Sequence, residues 1–242
     1  MNFNASFNFE GNTILWIDVL ALAWYLMLWF GYARYADLQY HKTKNLVRIM
    51  DDMRTRWMHQ MIKREMRMSD ATLIGNIARS ISFFASTTIL ILIGIVTVMG
   101  SHQQEGLQLV RTLPFVMGST PLMWEFKLGL LAMVFVYAFF KLTWSLRQYN
   151  YVSIVVGAAP LPNEHKSQHK EYAQRAGRLI GNAGRQFNLG LRAYYFGLAI
   201  VAWFLNGFAF MALTALVVQV AYRREFRSHT VNNLLALDET EA

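Results

Sequence analysis

The stretch ILWIDVLALAWYLMLWFGY, residues 14–32, decides the fold of this 242-residue chain. A helix needs about 20 mainly apolar residues to cross a hydrocarbon core of about 30 Å, and this stretch supplies them. Three more apolar stretches follow at residues 80–100, 124–144 and 193–221. The sequence therefore predicts an all-α, multi-pass helical membrane protein with about four transmembrane helices in one domain, residues 1–242.

Lys and Arg residues are unevenly distributed between the connecting segments. Residues 1–13 carry none, whereas residues 34–79 carry ten and residues 145–192 carry seven. Because Lys and Arg accumulate on the cytoplasmic side of a bilayer, this asymmetry predicts an external N-terminus and two cytoplasmic segments, 34–79 and 145–192. The net charge of +8 lies beside the membrane spans, so we expect contact with membrane lipids through anionic headgroups and no binding of nucleic acid.

The two cytoplasmic segments are predicted to form a basic helical layer. In residues 46–68, apolar side chains recur at three- and four-residue intervals between basic ones, which is typical of an amphipathic helix. Two placements remain open for this helix: on the inner leaflet, or packed against neighbouring helices. Asp70 is expected to cap the helix that continues into the second span.

Gly177, Gly181 and Gly184 mark a small-residue face in the second cytoplasmic segment. Small residues at this spacing let two helix backbones approach closely, so the face is predicted to pack against another helix. That helix belongs either to the same chain or to a second subunit. The second alternative predicts a homo-oligomer or a larger membrane protein complex.

The titratable residues form no recognisable catalytic or cofactor-binding pattern. The six histidines lie outside the centres of the spans, so no pair is placed to hold a buried haem. His165 and His169 are four residues apart but follow Pro162 in a polar loop, which favours a solvated turn over a metal site. The chain contains no cysteine. We therefore predict no catalytic residue, no metal site and no cofactor.

A short set of polar side chains lies within or beside the apolar stretches: Asp18, Lys127, Asn206 and Arg79. Ionisable groups inside a membrane are costly and commonly have a function. Asp18 and Lys127 fall at a similar depth, which predicts either a structural ion pair or part of an ion or proton path. In a channel or small-solute transporter, all members of this set would line the path.

The fourth apolar stretch, residues 193–221, allows two topologies. A single helix of 29 residues would be about 43 Å long and would place the basic tail outside the membrane, against the positive-inside bias. A hairpin with its tip at Asn206 and Gly207 would return the tail to the cytoplasm, but its arms are short. The unbroken apolar character on both sides of Asn206 leads us to prefer the single span.

Several longer motifs resemble a known family. They are ARSISFFASTTIL at 78–90, YAFFKLTWSLRQYNY at 137–151, GLRAYYFGLA at 190–199 and YRREFRS at 222–228. Together they resemble the bacterial branch of the domain-of-unknown-function 599 (DUF599) family, over most of the chain. The resemblance implies a multi-pass helical protein of the bacterial inner membrane and carries no activity, substrate or cofactor to any residue.

The leading hypothesis is a non-enzymatic membrane component that assembles with itself or with a larger membrane complex. The small-residue face, the compact length and the lack of a catalytic pattern favour it. The alternative is a channel or a small-solute or ion transporter. A membrane-embedded enzyme would need carboxylates or histidines that converge from separate segments of the chain.

Overall fold

The structure is a computed structural model, which describes residues 6–9, 12–43, 45–100, 120–164 and 166–239. An antiparallel hairpin of β1 (Ser6–Phe9) and β2 (Asn12–Leu15) precedes the helices. The helices in chain order are α1 (Trp16–Lys42), α2 (Leu46–Met61), α3 (Met68–Gly100), α4 (Pro121–Gly157), α5 (Lys166–Trp203), α6 (Gly207–Phe226) and α7 (His229–Glu239). The all-α class is thereby confirmed. The short β-hairpin was not predicted.

Among the described residues, three helices are long and apolar enough to cross a membrane. They are Trp16–Tyr40, Met68–Gly100 and Pro121–Gly157. These helices contain most of the first three predicted spans and extend beyond them into the basic segments. Their length and composition agree with a multi-pass membrane protein.

The fourth apolar stretch is divided between α5 and α6, so the preference for a single span is wrong. The Tyr25 ring lies 5.7 Å from the Phe196 ring in α5 and 5.1 Å from the Phe210 ring in α6. In one continuous helix, residues 196 and 210 would be about 21 Å apart along the axis. The chain therefore reverses direction between the two helices, as the hairpin alternative requires.

The residues at the hairpin tip explain the reversal. The Asn206 side chain accepts a hydrogen bond of 2.7 Å from the Ala209 amide and so caps the start of α6. Gly207 lies against α1, where an added Cβ would be 2.7 Å from Ile17 Cγ2. A larger residue at this position would push the tip away from α1. Local capping and close packing thus override the apolar character of the stretch.

The chain forms two compact units, each built from three separated segments. Unit 1 comprises Met1–Leu38, Ile89–Tyr137 and Arg192–Tyr222. Unit 2 comprises Gln39–Thr88, Ala138–Leu191 and Arg223–Ala242. Most of the apolar sequence belongs to unit 1, and most of the basic sequence belongs to unit 2.

Aromatic side chains fill the core of unit 1. Tyr25 is fully buried between Phe196 and Phe210, and its hydroxyl donates to the Phe196 carbonyl over 3.5 Å. Trp203 stacks on Phe210 with ring centroids 4.7 Å apart and planes inclined by 13°. Such ring pairs contribute about 0.5–1.5 kcal/mol each beyond the area they bury. They hold both arms of the hairpin against α1.

Helix α2 in unit 2 ends at Met61, earlier than the predicted range 46–68. The turn that follows carries Arg64, whose Nη1 donates to Asp70 Oδ1 over 2.7 Å. For this contact the chain has to turn after Met61, whereas the apolar periodicity alone predicts that the helix continues. Asp70 itself lies fully buried in the first turn of α3, so the prediction that it caps this helix is also wrong.

Candidate functional site

A buried ion pair links α1 and α4 in unit 1. Lys127 Nζ lies 3.4 Å from Asp18 Oδ1, and the side chains of Lys127 and Asp18 are only 3% and 10% exposed. The structure thus brings together the two charged residues that the sequence predicts to lie at a similar depth in the membrane. Each charge lowers the desolvation cost of the other in this environment.

Trp203, the last residue of α5, completes the contacts of both charged side chains. Its indole Nε1 donates to Asp18 Oδ1 over 2.6 Å, and its carbonyl accepts from Lys127 Nζ over 3.1 Å. The ammonium also lies 5.1 Å from the centre of the indole ring, within the range of a cation–π interaction. We call these three residues the Asp18–Lys127–Trp203 cluster.

Trp203 did not stand out in the sequence. A buried indole needs an acceptor for its N–H group, and Trp203 stands three residues before Asn206 in an otherwise apolar stretch. The need for an acceptor was the one feature of the sequence that could have marked Trp203 as part of a polar site. The acceptor of Trp203 could not be identified from the sequence, because Trp203 reaches α1 only through the chain reversal.

A cavity of about 300 Å³ adjoins this cluster. Its walls are almost entirely apolar, and among the described lining residues Asp18 is the charged one. The described lining residues are Asp18, Val19 and Leu22 of α1, Leu122, Met123 and Phe126 of α4, and Trp203. A small concave space with apolar walls and one polar group is typical of a site for a small ligand.

The two remaining polar candidates have different surroundings. Asn206 caps α6 through its side-chain oxygen. Arg79 belongs to unit 2, is exposed, and donates to Asn76 on the same helix. Neither contact indicates a conduction path.

The small-residue face of α5 packs on α2 within the same chain. An added Cβ at Gly177 would lie 2.8 Å from Thr55 Cα, and one at Gly184 would lie 2.7 Å from Arg54 Cζ. At Gly181 the nearest atom would be Asp51 Oδ1, at 3.1 Å. The face is therefore occupied by α2, which packs on α5 within unit 2. A second subunit is not needed to cover either surface.

The close approach of α2 to α5 leads to a second buried charge cluster, centred on Asp51 in unit 2. Asp51 Oδ2 accepts hydrogen bonds of 2.9 Å from the Tyr40 hydroxyl and from Arg185 Nη1. Asp51 Oδ1 accepts another of 2.9 Å from Arg54 Nη1. These contacts satisfy the carboxylate and join α1, α2 and α5 within unit 2. They indicate a structural role for Asp51.

Asp70 is the third buried carboxylate, and it joins α2 to α3 in unit 2. Its Oδ1 accepts from Trp57 Nε1 over 2.6 Å as well as from Arg64. Its Oδ2 has no hydrogen-bond partner among the described residues. A carboxylate this deeply buried depends strongly on the donors it has.

The loop between α4 and α5 is held by side chains of the basic layer. Arg67 Nη1 donates to the Ala159 carbonyl over 2.6 Å, and its Nη2 donates to the Pro160 carbonyl over 2.5 Å. The Tyr172 hydroxyl donates to the Val155 carbonyl over 2.6 Å. Burial raises the pKa of Tyr172, and the charge of nearby Arg67 partly offsets this effect. The loop is therefore held by hydrogen bonds from the neutral hydroxyl of Tyr172 and the charged guanidinium of Arg67.

Comparison with known proteins places the chain in a family. The family described as "Protein of unknown function, DUF599" matches residues 20–230, which is most of the chain. The chain belongs to the DUF599 family. No curated protein and no solved structure gives a significant match.

In this DUF599 protein, no group of three or more His, Cys, Asp or Glu side chains among the described residues is placed to hold a metal ion. His165 lies outside the described residues. The ring nitrogen Nε2 of His169 lies 2.6 Å from the Glu164 carbonyl oxygen, as in a hydrogen-bonded loop. The cavity beside the Asp18–Lys127–Trp203 cluster is therefore the candidate site that the geometry describes best.

Proposed function

We propose that this DUF599 protein is a non-enzymatic component of the bacterial inner membrane that assembles with itself or with a larger membrane complex. The observation that carries the proposal is the exposed apolar surface of α3 in unit 1. Of the twelve residues 89–100, only Ile95 is buried. This part of α3, the outer α3 segment, packs on little of the described part of the chain.

The exposed side chains of the outer α3 segment surround most of the helix. Leu90, Ile93, Val96, Val98 and Met99 are all exposed, and at 3.6 residues per turn they point in widely different directions. A span that packs on its own chain along one stripe leaves only the remaining faces to lipid. Among the described residues, most positions around this segment are exposed.

Gly94 supports a protein partner at this surface. Among the residues that the structure describes, none has an atom within 4 Å of a Cβ added at Gly94, and Gly94 itself is exposed. Small residues at a membrane-helix surface let a second helix approach closely and gain van der Waals contact. Lipid chains gain less from such a gap, which favours assembly through this segment.

The contacts of the polar candidates favour assembly over a channel or transporter. Asp18 and Lys127 neutralise each other, and Asn206 is engaged as a helix cap. A conduction path needs polar groups that a passing ion or solute can reach in succession. The described contacts instead give these groups structural partners.

The natural absence of cysteine allows a direct test in native membranes. Gly94→Cys places a thiol on the outer α3 segment, and Met133→Cys places one on an exposed site of α4 in the same unit. We expect oxidation or a short bifunctional maleimide to join chains through residue 94 and not through residue 133. The products are read by mass.

Two results would count against the assembly proposal. The first is a lack of any cross-link at residue 94 together with the mass of a single chain after extraction in mild detergent. The second is equal cross-linking at residues 94 and 133, because random collision in the bilayer explains that result. A cross-link to a different protein would identify the larger complex.

A further inference from the structure

We propose that the cavity beside the Asp18–Lys127–Trp203 cluster binds a single-chain amphiphile whose head is a neutral hydroxyl group. The apolar chain would lie in the cavity, and the hydroxyl would donate a hydrogen bond to the Asp18 carboxylate. The cavity is lined by α1, α4 and Trp203 and does not involve the outer α3 segment. This inference therefore does not rest on the proposed assembly.

The cavity has a buried floor and an open rim. Met123, Asp18 and Trp203 are buried and form the floor. Val19, Leu122 and Phe126 also line it but are about half exposed. The opening therefore lies on the apolar surface of unit 1. The proposed ligand would enter through this apolar opening.

The volume limits the size of the occupant. At about 30 Å³ for each group of the size of a water molecule or methylene, a cavity of about 300 Å³ holds a chain of about ten heavy atoms. This is too small for two acyl chains side by side. A single aliphatic chain fits the volume and the apolar walls.

The charges around the cavity select the head group. Both described hydrogen-bond or ion-pair contacts of the Asp18 carboxylate go to Oδ1, and Asp18 also lines the cavity. The proposed hydroxyl would donate its hydrogen bond to the other oxygen, Oδ2. Lys127 already balances the carboxylate at 3.4 Å and is not among the described lining residues.

A charged head group fits this arrangement poorly. An anionic head would be repelled by Asp18, and a cationic head would leave an excess positive charge beside Lys127 in a region of low dielectric constant. A hydroxyl donates one hydrogen bond to the carboxylate and adds no charge. The geometry thus points to an aliphatic alcohol rather than to a fatty acid or an alkylamine.

Photolabelling of the full chain tests the proposal. The protein is placed in lipid nanodiscs of phosphatidylethanolamine and phosphatidylglycerol with a decanol analogue that carries a diazirine in its chain. After irradiation, we expect the label on peptides that contain residues 18–22 and 122–126. Unlabelled decanol should compete about tenfold better than decane, because a hydrogen bond to a charged acceptor is worth about that factor or more.

Two neighbouring residues provide a matched pair of variants. Val19 lines the cavity, whereas Leu20 is similarly exposed on the same helix and is not among the described lining residues. We expect Val19→Trp to remove labelling by filling the rim and Leu20→Trp to leave it unchanged. Leu22→Trp is a second variant that fills the cavity, in case the first alters the fold.

Each contrary outcome overturns a stated part of the proposal. Equal competition by decane and decanol would refute the hydrogen bond to Asp18. Stronger competition by decanoate or decylamine than by decanol would refute the choice of a neutral head. Labelling that persists in both Val19→Trp and Leu22→Trp would show contact with bulk lipid and no site.

Discussion

Loss of one charge from the buried pair of Asp18 and Lys127 should destabilise the protein more than loss of both. At 3.4 Å and an effective dielectric constant of about 20, the two charges attract by about 5 kcal/mol. Asp18→Asn or Lys127→Met alone leaves the other charge buried, at a cost of about 3 kcal/mol or more. The double change leaves no buried charge and should cost about 1 kcal/mol.

The contacts of Trp203 reduce the loss of stability expected for each single variant. After Lys127→Met, the carboxylate keeps the indole donor, and after Asp18→Asn the ammonium keeps the Trp203 carbonyl. These contacts soften each single change without replacing the lost charge. We therefore expect a coupling energy of about 3 kcal/mol or more between the two sites.

Unfolding in mild detergent, followed by tryptophan fluorescence, measures all three variants against the natural chain. The exposed pair of Arg175 and Glu171 on α5 is the control. Its double-mutant cycle should give a coupling energy below about 0.5 kcal/mol, because exposed ion pairs contribute little. Additive effects of Asp18→Asn and Lys127→Met would refute the argument that the two charges stabilise each other.

Four further changes test other parts of the structure. Gly177→Ala should lower stability by about 1–3 kcal/mol, because its Cβ would clash with the α2 backbone, whereas Gly75→Ala, in open space, should be neutral or stabilising by up to about 1 kcal/mol. Thermal unfolding compares the two, and equal effects would contradict the clash. Trp57→Phe should cost about 1–3 kcal/mol, because buried Asp70 loses a donor; an unchanged melting temperature would contradict this role. A reporter fused after Ala242 should be cytoplasmic, and an active phosphatase fusion would contradict the hairpin.

The apolar stretches predicted the fold class, because a long run of apolar residues has few alternatives to a membrane helix. The same property misled the prediction for residues 193–221. Apolar character is equal on both sides of Asn206, so composition gave no sign of the break. The reversal depends on how Gly207 fits against Ile17. That contact joins residues far apart in sequence, and no local pattern reveals it.

The candidate site was predictable in part. The positive-inside bias fixed the direction of α1 and α4 and so placed Asp18 and Lys127 at one depth. Their pairing follows from depth once the helices are neighbours. The cavity beside them did not follow, because its shape depends on the rotamers and packing of Val19, Leu122 and Phe126. The role of Trp203 also depends on the chain reversal.

The hairpin of α5 and α6 reconciles two arguments that conflict in the sequence. The positive-inside bias requires the basic tail after α6 to return to the side of the basic segments, whereas the arms are too short for two independent crossings. In unit 1, Arg192 at one end of the hairpin lies 4.9 Å from the Tyr32 ring of α1, and the Tyr222 ring at the other end lies 6.2 Å from the Tyr35 ring.

Both ends of the hairpin therefore meet α1 within one turn, near the start of the basic segment 34–79. The hairpin tip contacts the opposite end of the apolar part of α1, at Ile17. Aromatic packing against Tyr25 stabilises the short arms, so they do not have to be stable as separate spans. The length argument counts only residues 193–221, whereas the two helices extend beyond both ends of that stretch and pack on α1. The charge argument depends only on the side of the membrane on which the basic residues after α6 lie. It agrees with the reversal.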